Sequence, residues 1–260
     1  MSKTISSEIK NKVAHITLNR EKAFNSFNRE MALEFQKALS KASQDHAVHA
    51  ILITGAGKAF SAGQDLKEVT DEKQNPGFEK ILKEHYNPII RLIREVEKPV
   101  VAAVNGVAAG AGANIALACD IVVASENAAF IQAFSQIGLI PDSGGTFFLP
   151  RLIGFQKASA LAMLGDKVSA KEAEELGMIY KHFSAEEFEQ RSIALAEKLA
   201  KMPTQALAKT KKLLNQSMTN SLDEQLELEG KHQIESAQSQ DYKEGVAAFV
   251  EKRKPEFEGK

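Results

Sequence analysis

The chain has no tryptophan, a single cysteine, and no uncharged apolar run long enough to span a bilayer. One cysteine, Cys119, excludes an internal disulfide framework and a multi-cysteine zinc site; its aliphatic surroundings fit a buried structural thiol in a reducing compartment. Charge of one sign is lacking too, with 33 lysines and arginines against 34 aspartates and glutamates. That balance gives no electrostatic footprint for nucleic acid and no acidic excess for disorder. The start, Met1-Ser2-Lys3-Thr4, lacks an apolar signal core, so the expected location is cytoplasmic, without membrane association. His15 and His182 lie in or beside apolar segments and His46, His49, His85 and His232 in polar or helical contexts, and no metal site is expected. Gly106 to Gly112 misses the dinucleotide-binding spacing, no phosphate-binding glycine-lysine loop occurs, and Ser143 lies outside any glycine-x-serine-x-glycine elbow.

What is present suffices for a substantial core, since 43% of the 260 residues are apolar. Short apolar runs read as strands at Val13–Leu18, Ala50–Gly55, Pro99–Val104 and Ile121–Ala124. The middle runs are apolar throughout, as in strands buried on both faces. Helical spacing marks 27–43, where Asn28 is a candidate cap and Met31, Leu33, Phe35, Ala38 and Leu39 supply the apolar face. It marks 78–95 as well, after a polar stretch, Asp71 to Gly77, that reads as a loop or helix start. Ala108 to Ala118 reads as a glycine-opened helix of small residues, and from Lys157 the pattern is almost wholly helical with a break at Met202-Pro203. The fold class is therefore α/β: a core of repeated β-β-α units followed by a helical appendage.

The most telling segment is Ile137 to Thr146, where Asp142 follows Pro141 among aliphatic residues and precedes the pair Gly144-Gly145. Apolar surroundings raise a carboxyl pKa, which makes Asp142 a candidate proton carrier; capping of the following helix is the competing reading. Two glycine-containing stretches expose main-chain N–H groups, 59–65 after a strand and 110–113 at the start of a helix. Together they could form an oxyanion hole, in which one donor is worth about 3 kcal/mol of barrier. Tight packing by small residues is the competing explanation for each.

These segments, with Leu18-Asn19-Arg20, Ala23-Phe24-Asn25-Ser26, Lys98 to Gly106, Cys119-Asp120-Ile121 and Gly245 to Lys254, resemble the crotonase (enoyl-CoA hydratase/isomerase) superfamily over essentially the whole length. The resemblance implies a ClpP-like spiral of β-β-α units over 1–200 and a C-terminal helical region over 201–260 for trimerisation and cover of the CoA pocket. It implies an acyl-CoA thioester as substrate, with the main-chain N–H groups of Gln64 and Ala111 gripping the thioester oxygen. No cofactor is expected beyond the coenzyme A carried by the substrate.

In the resembling hydratases two glutamates handle water, and their positions correspond here to Asn114 and Phe134. Asparagine cannot change protonation state and phenylalanine makes the wall apolar, so efficient hydration is not expected. A single acid suffices for isomerisation. The segment 133–146 most resembles the branch converting a ring-1,2-epoxyphenylacetyl-CoA to oxepin-CoA, a branch also associated with moving a double bond from position 3 to 2. A related dehalogenase uses an aspartate at the same place as nucleophile, supported by a tryptophan where this chain has Phe134. A non-catalytic acyl-CoA binder would also lack both glutamates, though it would have no need of Asp142.

For the CoA portion the resemblance points to Arg20, Lys22, Ala23, Ala62, Asp65, Leu66 and Gly110, with Asn114 and Phe134 nearer the acyl group. Tyr86 and its helix fall along the acyl pocket, while Asp65 reads as structural at its turn. Phe249 and Lys252 match positions that reach CoA, commonly from a neighbouring subunit of a homotrimer or dimer of trimers.

Overall fold

Strands that are apolar on both faces need cover on both faces, and that requirement organises the molecule. A computed structural model describes residues 4–71, 73 and 75–260. Ile5–Lys10 (β1) and Val13–Leu18 (β2) form an antiparallel hairpin; Arg29–Gln44 (α1) then returns the chain to Ala50–Gly55 (β3), parallel to β2. Asn28 caps α1 by accepting a hydrogen bond from the Met31 amide. Met31, Phe35 and Leu39 share the buried face, whereas Leu33, expected there, is 40% exposed. It sits two residues from both Met31 and Phe35, and a spacing of two points away from that face.

Ala59–Ser61 (β4) and Leu66–Thr70 (α2) follow. The stretch Asp71 to Gly77 includes Glu72 and Gln74, which lie outside the described residues. The helix expected over 78–95 consists of Phe78–Lys80 (α3), a π-helical stretch Ile81–Tyr86, and Asn87–Glu95 (α4). Val100–Val104 (β5), buried at every position, leads to Val107–Ala109 (β6), Ala111–Leu117 (α5), Ile121–Ser125 (β7) and Ala129–Ile131 (β8). The remainder comprises Gly145–Ile153 (α6), Phe155–Leu164 (α7), Lys167–Ser169 (β9), Ala170–Glu175 (α8), Lys181–Phe183 (β10), Phe188–Ala200 (α9), Thr204–Ser217 (α10), Leu222–Ser236 (α11) and Gln240–Glu251 (α12).

The larger sheet has the order β1-β2-β3-β5-β7-β10 and is parallel after its first hairpin. One face packs against α1, α4 and α5 through residues such as Ile16, Ile51, Ile53 and Ala102. The opposite face, with Val13, Leu52, Val101 and Val123, meets Phe188, Ala196 and Ala200 of α9. A smaller sheet, β4-β6-β8-β9, stands beside it. Its three-residue strands are too short for periodicity to reveal, so the helix expected from Ala108 begins only at Ala111, and β9 and β10 interrupt the region expected to be helical. The helix α10 is pinned to α4 and to the residue preceding β7 by Lys211, whose Nζ meets the Ile93 carbonyl at 2.6 Å and Asp120 Oδ2 at 2.9 Å.

Candidate active site

Strands β4 and β6 lie parallel and adjacent, so their C-terminal ends deliver the 62–65 and 110–111 segments side by side. Gly63 is where they touch. It has φ +86°, and a Cβ there would stand 2.8 Å from the Ala109 carbonyl oxygen and 3.4 Å from the Ala111 nitrogen. Any larger residue would push the segments apart. The Phe27 amide donates to the Gly63 carbonyl at 2.6 Å and the Asp65 amide donates to the Phe27 carbonyl at 2.8 Å, bracketing Gln64. Among the described residues, neither the Gln64 nor the Ala111 main-chain N–H donates to an acceptor. Ala111 opens α5, where first-turn amides have no intrahelical partner.

The opposite wall is carried by the chain leaving β8. The Phe134 ring, 6% exposed, covers Gly110, with its edge 3.7 Å from where a Cβ would project. Gln132 and Asn114 are both buried; Gln132 Nε2 donates to Asn114 Oδ1 at 2.8 Å, and Asn114 Nδ2 donates to the Asp142 main-chain carbonyl at 2.9 Å. The Gly145 amide donates to the same carbonyl at 2.8 Å. Gly110, Asn114, Phe134 and Asp142 are thus joined in one wall next to Ala111.

The Asp142 carboxyl does not cap α6, whose N-cap is Gly144 without a side-chain hydrogen bond. Its Oδ1 is buried and has no partner among the described residues. Burial raises its pKa from 3.8 to about 6. The aliphatic neighbours in sequence are not the source, for Ile137, Leu139 and Ile140 are exposed at 56%, 38% and 82%. The dry surroundings come from tertiary packing; the Asp142 charge is felt by the buried Tyr86 phenol, which is pushed well up by burial and then by that charge.

The segments 20–27 and 62–66 form a further cluster. Arg20 pairs with Asp65 at 2.8 Å and donates to the Ser26 carbonyl, and the Ala62 amide donates to the Phe24 carbonyl at 2.9 Å. Asp65 also caps α2 by accepting from the Lys67 amide, as a structural residue would. Ala23 is half-buried near Arg20, while Lys22, Ala62 and Leu66 are exposed. Phe249, 86% exposed, and Lys252 lie at the end of α12, in the helical layer of α10, α11 and α12 rather than at the Asp142 wall. Sequence reasoning missed Gln132, which carries no chemistry of its own and matters only through Asn114. Cys119 is buried, donates to the Ile115 carbonyl, and is held near pKa 12 by burial, in keeping with an inert thiol.

The arrangement joins main-chain donors to one desolvated carboxylate, which can stabilise an enolate oxygen while moving a proton. Residues 8–260 match the enoyl-CoA hydratase/isomerase family model. The chain is 44% identical to the 1,2-epoxyphenylacetyl-CoA isomerase of Escherichia coli K12 over 100% of both chains. It is also 44% identical to a Rhodobacter capsulatus protein named "Probable enoyl-CoA hydratase", over 99% of this chain and 98% of that one. The crystal structure of an enoyl-CoA hydratase from Bacillus anthracis superposes with a TM-score of 0.92 at 32% identity, covering 99% of this chain and 100% of that one. The chain therefore belongs to the crotonase family of enoyl-CoA hydratases and isomerases.

Proposed function

We propose that the protein is an acyl-CoA isomerase in which Asp142 shuttles a proton and the Gln64 and Ala111 N–H groups hold the thioester oxygen. The observation that carries this reading is the character of the acid wall: one desolvated carboxyl, Asp142, with a free oxygen, beside an amide at Asn114 and an apolar ring at Phe134. Hydration requires one group to activate water and another to protonate carbon. Isomerisation requires one group, used twice. The Asp142 carboxylate takes a proton from the carbon next to the thioester, the electrons pass into a dienolate whose oxygen accepts the two N–H bonds, and the same carboxyl returns the proton to the far carbon.

The preferred substrates are ring-1,2-epoxyphenylacetyl-CoA, giving oxepin-CoA, and 3-enoyl-CoA, giving 2-enoyl-CoA; the full-length identity to the Escherichia coli isomerase supports the first. A desolvated base is stronger, and an apolar ring at Phe134 discourages capture of the intermediate by water. The scheme uses no cofactor besides the CoA of the substrate. Arg20, Lys22, Ala23, Ala62, Asp65 and Leu66 would line the CoA path, with Arg20 already fixed by Asp65. Phe249 and Lys252, remote from the acid wall in their own chain, would reach the CoA of a neighbouring subunit in a trimer. A cytoplasmic location belongs to the same reading; among the described residues no helix is long and apolar enough to cross a membrane.

Asp142→Asn tests the shuttle. Isomerase turnover is expected to fall by about 10²–10⁴-fold, with acyl-CoA binding by calorimetry nearly unchanged. Retained turnover would remove Asp142 from the mechanism.

A further inference from the structure

The helix face that carries Tyr86 bridges the two halves of the site. Only 1% exposed, Tyr86 ends the π-helical stretch, and its hydroxyl donates to Gln64 Oε1 at 2.8 Å. Four residues later Ile90 faces the acid side, with Cγ2 3.9 Å from the point where a Cβ would project from Gly144. Residues at i and i+4 share a helix face. One face therefore touches the Gln64 segment through Tyr86 and the 142–145 segment through Ile90.

The local fold supports this placement. A π-turn changes the register of side chains around a helix, and such turns occur often at functional sites. Gln36 of α1 reinforces it here, its Nε2 donating to the carbonyls of Glu84 at 2.7 Å and His85 at 3.0 Å. The Tyr86 ring packs edge-on against Phe27, centroids 6.1 Å apart, and Phe27 is the residue whose amide and carbonyl bracket Gln64. The ring thus supports residue 64 through Phe27, while the hydroxyl holds its side chain directly. At the other end of that side chain, Gln64 Nε2 donates to Glu68 Oε2 at 3.2 Å.

We infer that Tyr86 is a positioning residue for the oxyanion hole: its hydroxyl fixes Gln64, and with it the direction of the Gln64 main-chain N–H toward the thioester oxygen. The inference rests on the oxyanion role given to Gln64 above. Burial and the Asp142 charge keep the phenol neutral, so it remains a donor through the working pH range.

Tyr86→Phe removes only the hydroxyl and keeps the ring on Phe27. The expected result is a fall in kcat of about tenfold with KM changed by less than about threefold, as for a misdirected transition-state donor. Gln64→Met, which removes the acceptor, should reproduce that fall, and the double variant should be no worse than either single one. A second readout is the infrared carbonyl band of a carbon-13-labelled saturated acyl-CoA bound to the protein. The wild-type protein should shift the band to lower frequency, and Tyr86→Phe should lose part of that shift. Wild-type kcat and a wild-type band in Tyr86→Phe would overturn the inference while leaving the oxyanion hole intact. An unshifted band in the wild-type protein would overturn the hole itself, and the inference with it.

Discussion

The Asn114 side-chain amide donates to the Asp142 main-chain carbonyl at 2.9 Å while its oxygen accepts from Gln132. A residue that cannot ionise thus holds in place the segment that carries the acid. Asn114→Leu keeps the size but strands Gln132 Nε2 in a buried site, an unmade bond that costs about 1–3 kcal/mol. Chemical denaturation should register that loss, and kcat should fall with it as Asp142 loses its anchor.

Gly145 tests the same anchor from the other side. A Cβ there would meet Asn114 Nδ2 at 2.4 Å, and the hydrogen bond from Gln132 leaves that amide little room to yield. Gly145→Ala should cost about 1–3 kcal/mol in a melting experiment and lower kcat, by overpacking rather than by removal of any functional group.

The raised pKa of Asp142 fixes the sign of two pH effects. As the base it must be ionised, so kcat/KM should fall about tenfold per pH unit below about 6. Because its folded pKa exceeds its ordinary 3.8, the group contributes stability that is fully present below that value and lost as pH rises through about 6. Asp142→Asn escapes that loss. The variant should be more stable than the wild type at pH 8 by about 1–2 kcal/mol, a discount on the full shift for partial solvent contact, and the gap should narrow toward pH 4. Paired melting curves at the two pH values measure it.

Gly63→Ala combines an unfavourable φ of +86° with a Cβ 2.8 Å from the Ala109 carbonyl oxygen. Separation of the two segments removes one oxyanion donor, and kcat should fall by about 10²–10³-fold. Steady-state kinetics on an isomerase substrate, with circular dichroism to verify the fold, measures that loss.

Much of this was legible in the sequence for physical reasons. Runs such as Val100–Val104 must be buried strands because nothing in them tolerates water on either face, and Asn28 announced its helix through capping chemistry. Asp142 stood out as a lone acid, but the cause of its dryness did not, since the aliphatic residues beside it in sequence turn out to solvent. Three-residue strands such as β6 carry no periodicity, and the π-turn before α4 has no composition signal. Gln132 and the Tyr86 to Gln64 contact depend on pairings 18 and 22 residues apart, which no local pattern encodes.

The most direct test of one-acid isomerisation is a product and exchange assay in heavy water, by NMR and mass spectrometry, with 3-enoyl-CoA, 2-enoyl-CoA and the ring epoxide of phenylacetyl-CoA. The expected result is a shifted double bond with deuterium entering the α or γ carbon, or oxepin-CoA from the epoxide, and no hydroxyacyl-CoA. Hydroxyacyl-CoA as the main product would contradict it, showing that this site activates water with Asn114 and Phe134 in place of two glutamates.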